Sequence, residues 1–88
     1  MLVHAETVVL PENAVIEIAL WAEREGRLRY RLRYGRDGTW LVDYDNESGH
    51  RRRVRARSAP YEFRSVEQLR YDFERDVEGL GDGDEADA

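Results

Sequence analysis

The sequence of 88 residues contains no cysteine and no lysine, and its apolar runs are short. Without cysteine the chain can form no disulfide, thiolate zinc site or cysteine nucleophile. No apolar run reaches the roughly 18 residues that a membrane-spanning helix needs. Residues 1–10 also lack a basic leader ahead of their apolar side chains. We therefore expect a cytoplasmic protein without an export or membrane-anchoring signal.

Charge is abundant, and its sign is segregated along the chain. Charged residues make up 38% of the sequence, and the net charge is −5. Residues 27–57 hold ten arginines and four acidic residues, whereas residues 1–26 hold one arginine and five acidic residues, and residues 58–88 hold three and ten. A basic segment of this kind can contact phosphates even in an acidic protein.

The basic segment alternates strictly between arginine and apolar side chains. From Arg27 to Tyr34 every odd position is an arginine and every even position is leucine or tyrosine. A period of two predicts a β-strand, because a helix would scatter the arginines around its circumference. The same parity extends over residues 14–22, 40–45 and 50–57, so four strands share one apolar face, which includes Trp40, Val42 and Tyr44. Leu2–Leu10 predicts a further strand that turns through residues 11–13.

Opposed residues of an antiparallel pair share a face, which allows a register to be predicted. Opposing Leu20 to Tyr30 sets Glu17 against Arg33. Opposing Leu32 to Val42 sets Arg31 against Asp43 and Arg29 against Asp45. We also expect Asp43 to lie between arginines of both neighbouring strands, which would relieve repulsion at the centre of the sheet.

One amphipathic helix follows the predicted strands. Pro60 interrupts the strand pattern, and Ser65 with Gln68 forms a capping box at the start of a helix. Its apolar stripe consists of Val66, Leu69, Phe73, Val77 and Leu80. The predicted fold is α+β, with a four- to five-stranded antiparallel meander sheet packed on this C-terminal helix. A single domain spans residues 1–80, and residues 81–88 form an acidic disordered tail.

The face opposite the core is predicted to bind nucleic acid, because guanidinium groups can hold phosphates and an aromatic ring can stack on a base. Two other interpretations stay open: a solvated face whose arginines pair with carboxylates, and a docking surface for an acidic protein. The predicted nucleic-acid-binding residues are Trp21, Arg27, Arg29, Arg31, Arg33, Arg51, Arg53, Arg55 and Arg57.

Catalytic candidates are few, and His50 is the best of them. It follows a turn and lies near Tyr44 and Arg52 on the predicted core face, so that a general acid or base would stand beside a cation. A histidine that closes the turn by bonding to Asn46 or to a backbone carbonyl is the structural alternative. Asp43, Asp45 and Glu47 make only a weak metal motif, and we expect no metal or cofactor.

Several motifs together resemble the TumE-like family of small type II toxin–antitoxin toxin proteins. They are the string Tyr30–Tyr34, the sequence Tyr44-Asp45-Asn46 followed by Gly49-His50, and the segment Pro60–Leu69 with Asp72-Phe73. The resemblance covers about residues 15 to 78. The Tyr-Asp-Asn sequence before a Gly-His turn is its most distinctive part.

The resemblance implies a toxin that acts on RNA or translation and is neutralised by a cognate antitoxin protein. The candidate catalytic set is then Tyr44, Asp45, Asn46, His50 and Arg52, with a metal-independent, ribonuclease-like activity. Family members commonly carry a His-x-His pair, whose second position is Arg52 here. A non-enzymatic module that binds protein or nucleic acid, and a purely structural domain, are the alternatives.

Overall fold

The computed structural model describes the backbone of residues 1–87 and the side chains of residues 1–80. One antiparallel sheet contains six strands in chain order, and one helix, α1, spans Val66–Asp87. The strands are β1 (Leu2–Leu10), β2 (Ala14–Ala22), β3 (Leu28–Arg36), β4 (Thr39–Asp45), β5 (Arg51–Val54) and β6 (Arg57–Pro60). The predicted α+β meander with a C-terminal helix is confirmed, but the predicted count of four to five strands is wrong.

The predicted acidic tail, residues 81–88, lies outside the residues whose side chains the structure describes. Its disorder, and its separation from a domain of residues 1–80, stay predictions.

The core lies between α1 and the even-numbered face of the central strands, as the alternation predicts. Tyr30, Leu32, Val42 and Tyr44 are each 1% exposed or less. The helix adds Leu69, Phe73 and Leu80 from its predicted stripe, with Val77 packed against them. At the start of α1 the Ser65 hydroxyl oxygen accepts a hydrogen bond from the Gln68 backbone N–H at 3.1 Å, as the capping motif requires.

The predicted register is correct between β2 and β3 but wrong by two residues between β3 and β4. Leu20 opposes Tyr30 and Glu17 opposes Arg33, whereas Leu32 opposes Tyr44 instead of Val42. The causes are the turn and a bulge: Asp37 and Gly38 alone connect the strands, with φ of 54° and 79°, which moves the register by one residue, and the shift between Tyr34 and Gly35 moves it by one more. Two positive φ angles at Asp-Gly are typical of a two-residue hairpin, which is shorter than the Gly35–Gly38 turn that the sequence suggested.

A turn at Arg55 produces the sixth strand. The predicted strand of residues 50–57 is broken there, because Arg55 adopts φ +56° and the chain reverses into β6. Val54 opposes Arg57 across this hairpin, so Arg57 lies on the helix side of the sheet and its predicted place among the outward arginines is wrong. Pro60 fits at the end of β6, since an edge strand tolerates a residue without an N–H.

A bulge at Leu41 turns Trp40 to the outside. The register shifts between Tyr34 and Gly35, so that Trp40 opposes Gly35, and Leu41 packs against the core instead. The prediction that Trp40 belongs to the core face is therefore wrong. The indole lies against the backbone of Gly35, where a side chain would occupy the same space.

Gly35→Ala is expected to lower the free energy of unfolding by about 1–3 kcal/mol, the usual cost of overpacking. The added Cβ would lie 2.8 Å from Trp40 Cε3 and 3.0 Å from the Thr39 carbonyl oxygen. Gly79→Ala in α1 is the control, because its Cβ would meet open space and should stabilise the helix by about 0.5–1 kcal/mol. Urea unfolding measures both variants, and an unchanged stability of Gly35→Ala would contradict the position of Trp40.

Candidate functional site

The five predicted catalytic residues lie close together in the chain but point to two faces of the sheet. Tyr44 opposes Arg52 on the helix side, whereas Asp45 opposes Arg51 on the outer face. Asn46 follows β4 and His50 precedes β5. The structure therefore brings His50, Tyr44 and Arg52 to one side and separates Asp45 from them.

His50 is the exposed member of a stack of three rings, whose other members are Tyr30 and Phe63. Its imidazole lies 5.3 Å from the ring of Phe63 at an angle of 14° and 5.6 Å from the ring of Tyr30. Its Nδ1 is 2.9 Å from the Tyr30 hydroxyl. Burial, and secondly the charge of Asp45, raise the pKa of Tyr30 to about 12. The hydroxyl thus stays protonated, and the direction of its hydrogen bond with Nδ1 depends on the imidazole tautomer.

The His50 backbone has a separate role, because its carbonyl accepts the N–H of Tyr61 at 3.0 Å. A histidine that closes the turn was expected to hydrogen-bond through its ring to Asn46 or to a backbone carbonyl. In the structure the ring bonds to the Tyr30 hydroxyl instead.

Tyr44 and Arg52 fasten the helix to the sheet through Asp76. The Tyr44 hydroxyl donates to the Asp76 carboxylate, and Arg52 binds both oxygens of that carboxylate at 3.1 Å. Nearby, the Tyr61 hydroxyl donates to Asp72 at 2.6 Å. Burial first, and then the hydrogen bonds to the two aspartates, raise the pKa of Tyr44 and Tyr61, so both remain donors. The charge of Arg52 is therefore opposed by Asp76.

The side chain of Asn46 replaces part of a backbone ladder. Its Oδ1 accepts the Tyr30 N–H at 2.9 Å, and its Nδ2 donates to the Leu28 carbonyl at 2.7 Å. The oxygen and the nitrogen of the side-chain amide are thus both hydrogen-bonded to the start of β3. Asp45 stabilises the same turn, since its carboxylate accepts the Glu47 N–H at 3.1 Å.

The outer face carries two rows in which positive and negative residues alternate from strand to strand. One row runs Glu17, Arg33, Asp43, Arg53, which confirms that Asp43 lies between two arginines. Arg33 binds the Glu17 carboxylate at 2.9 and 3.0 Å. The other row consists of Arg31, Asp45 and Arg51. Burial, and next the charge of Asp45, raise the pKa of Asp43, while the surrounding arginines oppose that shift.

Both tryptophans lie on this face, each covered by an arginine. The Arg29 guanidinium is 4.4 Å from the Trp21 ring centre, and that of Arg33 is 4.1 Å from the Trp40 ring centre. A cleft of about 100 Å³ opens beside Trp21. It is lined by Trp21, Arg29, Tyr30, Arg31, Asp45 and Glu47.

The eight arginines predicted to bind nucleic acid do not form one surface. Arg55 lies in the turn between β5 and β6, Arg57 lies on the helix side, and Arg27 precedes β3. The outer face of the strands carries the other five: Arg29, Arg31, Arg33, Arg51 and Arg53. We use the name outer arginine face for these five with Trp21 and Trp40.

Sequence reasoning missed the residues that organise the site from a distance. Phe63, Tyr61, Asp72 and Asp76 come from the segment before α1 and from the helix itself. No local pattern links them to His50, because their contacts form only when the helix packs on the sheet. Among the described residues no three carboxylates or histidines are grouped to hold a metal.

The fold and the site define a class: a small α+β protein with a meander sheet, one covering helix and an exposed histidine in an aromatic cluster. The family model described as Toxin TumE matches residues 3–80, and the chain belongs to this family. The resemblance seen in the sequence is thereby confirmed. Membership in a toxin family implies an antitoxin partner.

Two further comparisons found no match. No curated protein and no solved structure matches the chain. Within the part that the structure describes, no helix is both long enough and apolar enough to cross a membrane.

Asn46→Ala is expected to cost about 1–3 kcal/mol of unfolding free energy, because it leaves the Tyr30 N–H and the Leu28 carbonyl without these bonds. Ser48→Ala, in the same exposed turn, is the control and should change the stability by less than about 0.5 kcal/mol. Thermal or urea unfolding compares the two. Equal stabilities would mean that Asn46 does not hold β3.

Proposed function

We propose that this chain is the toxin of a type II toxin–antitoxin module and acts on RNA or on translation. The outer arginine face would hold the polynucleotide, and His50 would serve as a general acid or base without a metal. This proposal rests on membership in the toxin family together with the geometry of the two tryptophans.

The observation that carries RNA binding is the pairing of each outer tryptophan with an arginine. Bases of single-stranded RNA stack on aromatic rings and on the planes of guanidinium groups, so a base would stack on the guanidinium that covers each tryptophan or take its place on the ring. The cleft beside Trp21 adds the exposed side chains of Arg31 and Glu47, which can hydrogen-bond to a base edge. Arg51 is exposed at the far end of the same face and can reach a phosphate.

His50 is the member of the predicted catalytic set best placed for proton transfer. It is exposed, its ring is oriented by the Tyr30 hydroxyl, and the two stacked rings limit its rotation. Tyr44, Asn46 and Arg52 are engaged in structural bonds, so their part in the site would be to position His50 and its surroundings. The departure from the His-x-His pattern fits this assignment, because Arg52 bonds to Asp76.

A non-enzymatic binding module is the second candidate, and the ion pairs on the outer arginine face favour it. Arg33 is bound by Glu17. Arg53 lies 3.9 Å from Asp43, and Arg31 lies 3.6 Å from Glu47. Such a face could dock a protein or a nucleic acid by exchanging these partners. The two candidates differ in whether His50 is needed for toxicity.

Binding of a mixed-sequence single-stranded RNA oligonucleotide is expected to weaken as salt rises, because phosphate contacts release counterions. Arg51→Gln should reduce the slope of log affinity against log salt by about 0.7, the value for one phosphate contact on a single strand. Arg64→Gln is the control, since Arg64 is also exposed but lies between β6 and α1. Fluorescence anisotropy measures the affinities. Binding independent of salt, or equal slopes for both variants, would contradict the RNA model.

His50→Ala is expected to relieve growth inhibition and to lower RNA turnover by about 10²–10⁴-fold, the usual contribution of general acid–base catalysis. His4→Ala removes the other histidine and should leave both unchanged. Induced expression of the three proteins at matched levels provides the measurement. Growth inhibition by His50→Ala equal to that of the original protein would remove His50 from the chemistry and support the binding module.

A further inference from the structure

The two edges of the sheet are protected to different degrees. β6 has four residues and includes an arginine and a proline, two features that discourage pairing with another strand. β1 has nine residues and contains no proline, lysine or arginine. A long edge of this kind presents backbone N–H and C=O groups that a second strand can bind.

β1 also carries most of the exposed apolar surface. Of the six large apolar side chains that are exposed among the described residues, five lie on or beside this strand. Val9 is 81% exposed, Val3 54% and Leu2 52%. A concentration of apolar and β-branched side chains along one unpaired strand is typical of an interface.

We propose that β1 pairs with β1 of a second copy of this chain, in antiparallel orientation, and joins the two sheets into one. The ladder of β1 with β2 is regular from His4 to Leu10 and is shifted only between Leu2 and His4. The longest regular self-pairing is therefore centred on Thr7. It sets Thr7 against the partner's Thr7 and Val9 against the partner's Ala5.

A second copy fits this edge because the charges of β1 are compatible with themselves. The one carboxylate of the strand, Glu6, lies 3.3 Å from His4 and 3.6 Å from Arg70 of α1. With the axis at Thr7, Glu6 faces the partner's Val8, whereas an axis at Glu6 would oppose two like charges. Each copy then keeps its own Glu6–Arg70 pair.

This self-association is independent of the proposed function. The cleft beside Trp21 is lined by residues of β2, β3 and β4 and by Glu47, and the ring stack at His50 lies beyond β2, so pairing at the free edge of β1 uses no residue of either. Loss of dimerisation would therefore leave the tests with RNA and with His50→Ala interpretable.

Sedimentation equilibrium of the purified chain without an antitoxin tests the proposal. We expect a concentration-dependent species of twice the 10.3 kDa chain mass. Val9→Lys should weaken the dimer by at least about tenfold, because a charge on an edge strand opposes pairing. Tyr71→Lys introduces the same charge at a residue of α1 that is 57% exposed, and it should leave the dimer unchanged. A monomer at every concentration, or equal weakening by both variants, would overturn the proposal.

The absence of native cysteine allows a direct test of the register. Thr7→Cys should react across the symmetry axis with a short bismaleimide, since directly opposed Cα atoms lie about 4.5–5.5 Å apart. Ser58→Cys on the other edge, β6, is the control and should not cross-link. A dimer that cross-links only through Ser58→Cys would place the interface at β6. A monomer that pairs through β1 only with an antitoxin would equally refute self-association.

Discussion

Three arginines on one face of β3 impose the main electrostatic constraint on this sheet. Arg29, Arg31 and Arg33 are two residues apart along an extended strand, so their charges lie within a screening length of one another. Each arginine has a neighbour that offsets its charge. Arg33 lies between Glu17 and Asp43, and Arg31 lies beside Asp45 and Glu47. The Arg29 guanidinium lies over the ring face of Trp21. The other side of β3 supplies Tyr30, Leu32 and Tyr34 to the core, so the strand tolerates no shift in register.

The sequence was sufficient to predict the parts of the fold that follow from local alternation. The strict period of two in residues 27–34 placed β3, its core face and its register with β2, and the capping motif placed the start of α1. It was insufficient wherever a single residue changed the local geometry. The positive φ of Arg55 ended a strand without a glycine to mark it, and the bulge at Leu41 reversed the side on which Trp40 lies. Gly35 was the one available signal, because a glycine within a strand often marks a bulge.

The candidate site was predicted less completely than the fold, because residues close together in the sequence were assigned to one catalytic site. The turn after β4 places Asn46 and His50 against Tyr30 of β3, whereas Tyr44 bonds to α1. Asp76 binds both Tyr44 and Arg52, and Tyr30 binds His50, while Asn46 holds the backbone of Tyr30. Tyr30 thus connects the exposed histidine to the turn, so a substitution of Asn46 would also disturb the position of His50.

The ion pairs on the outer arginine face determine what kind of RNA binding is physically reasonable. A chain with a net charge of −5 cannot attract a polyanion from a distance by its total charge. A phosphate that approaches Arg33 must compete with Glu17, which holds that guanidinium by two hydrogen bonds. Electrostatic affinity would therefore be modest, and stacking on the Trp21–Arg29 and Trp40–Arg33 pairs, worth about 1–3 kcal/mol per base, would supply a larger share of the binding energy. Such a face would discriminate against paired RNA, because bases within a duplex have no free ring faces to stack on these pairs.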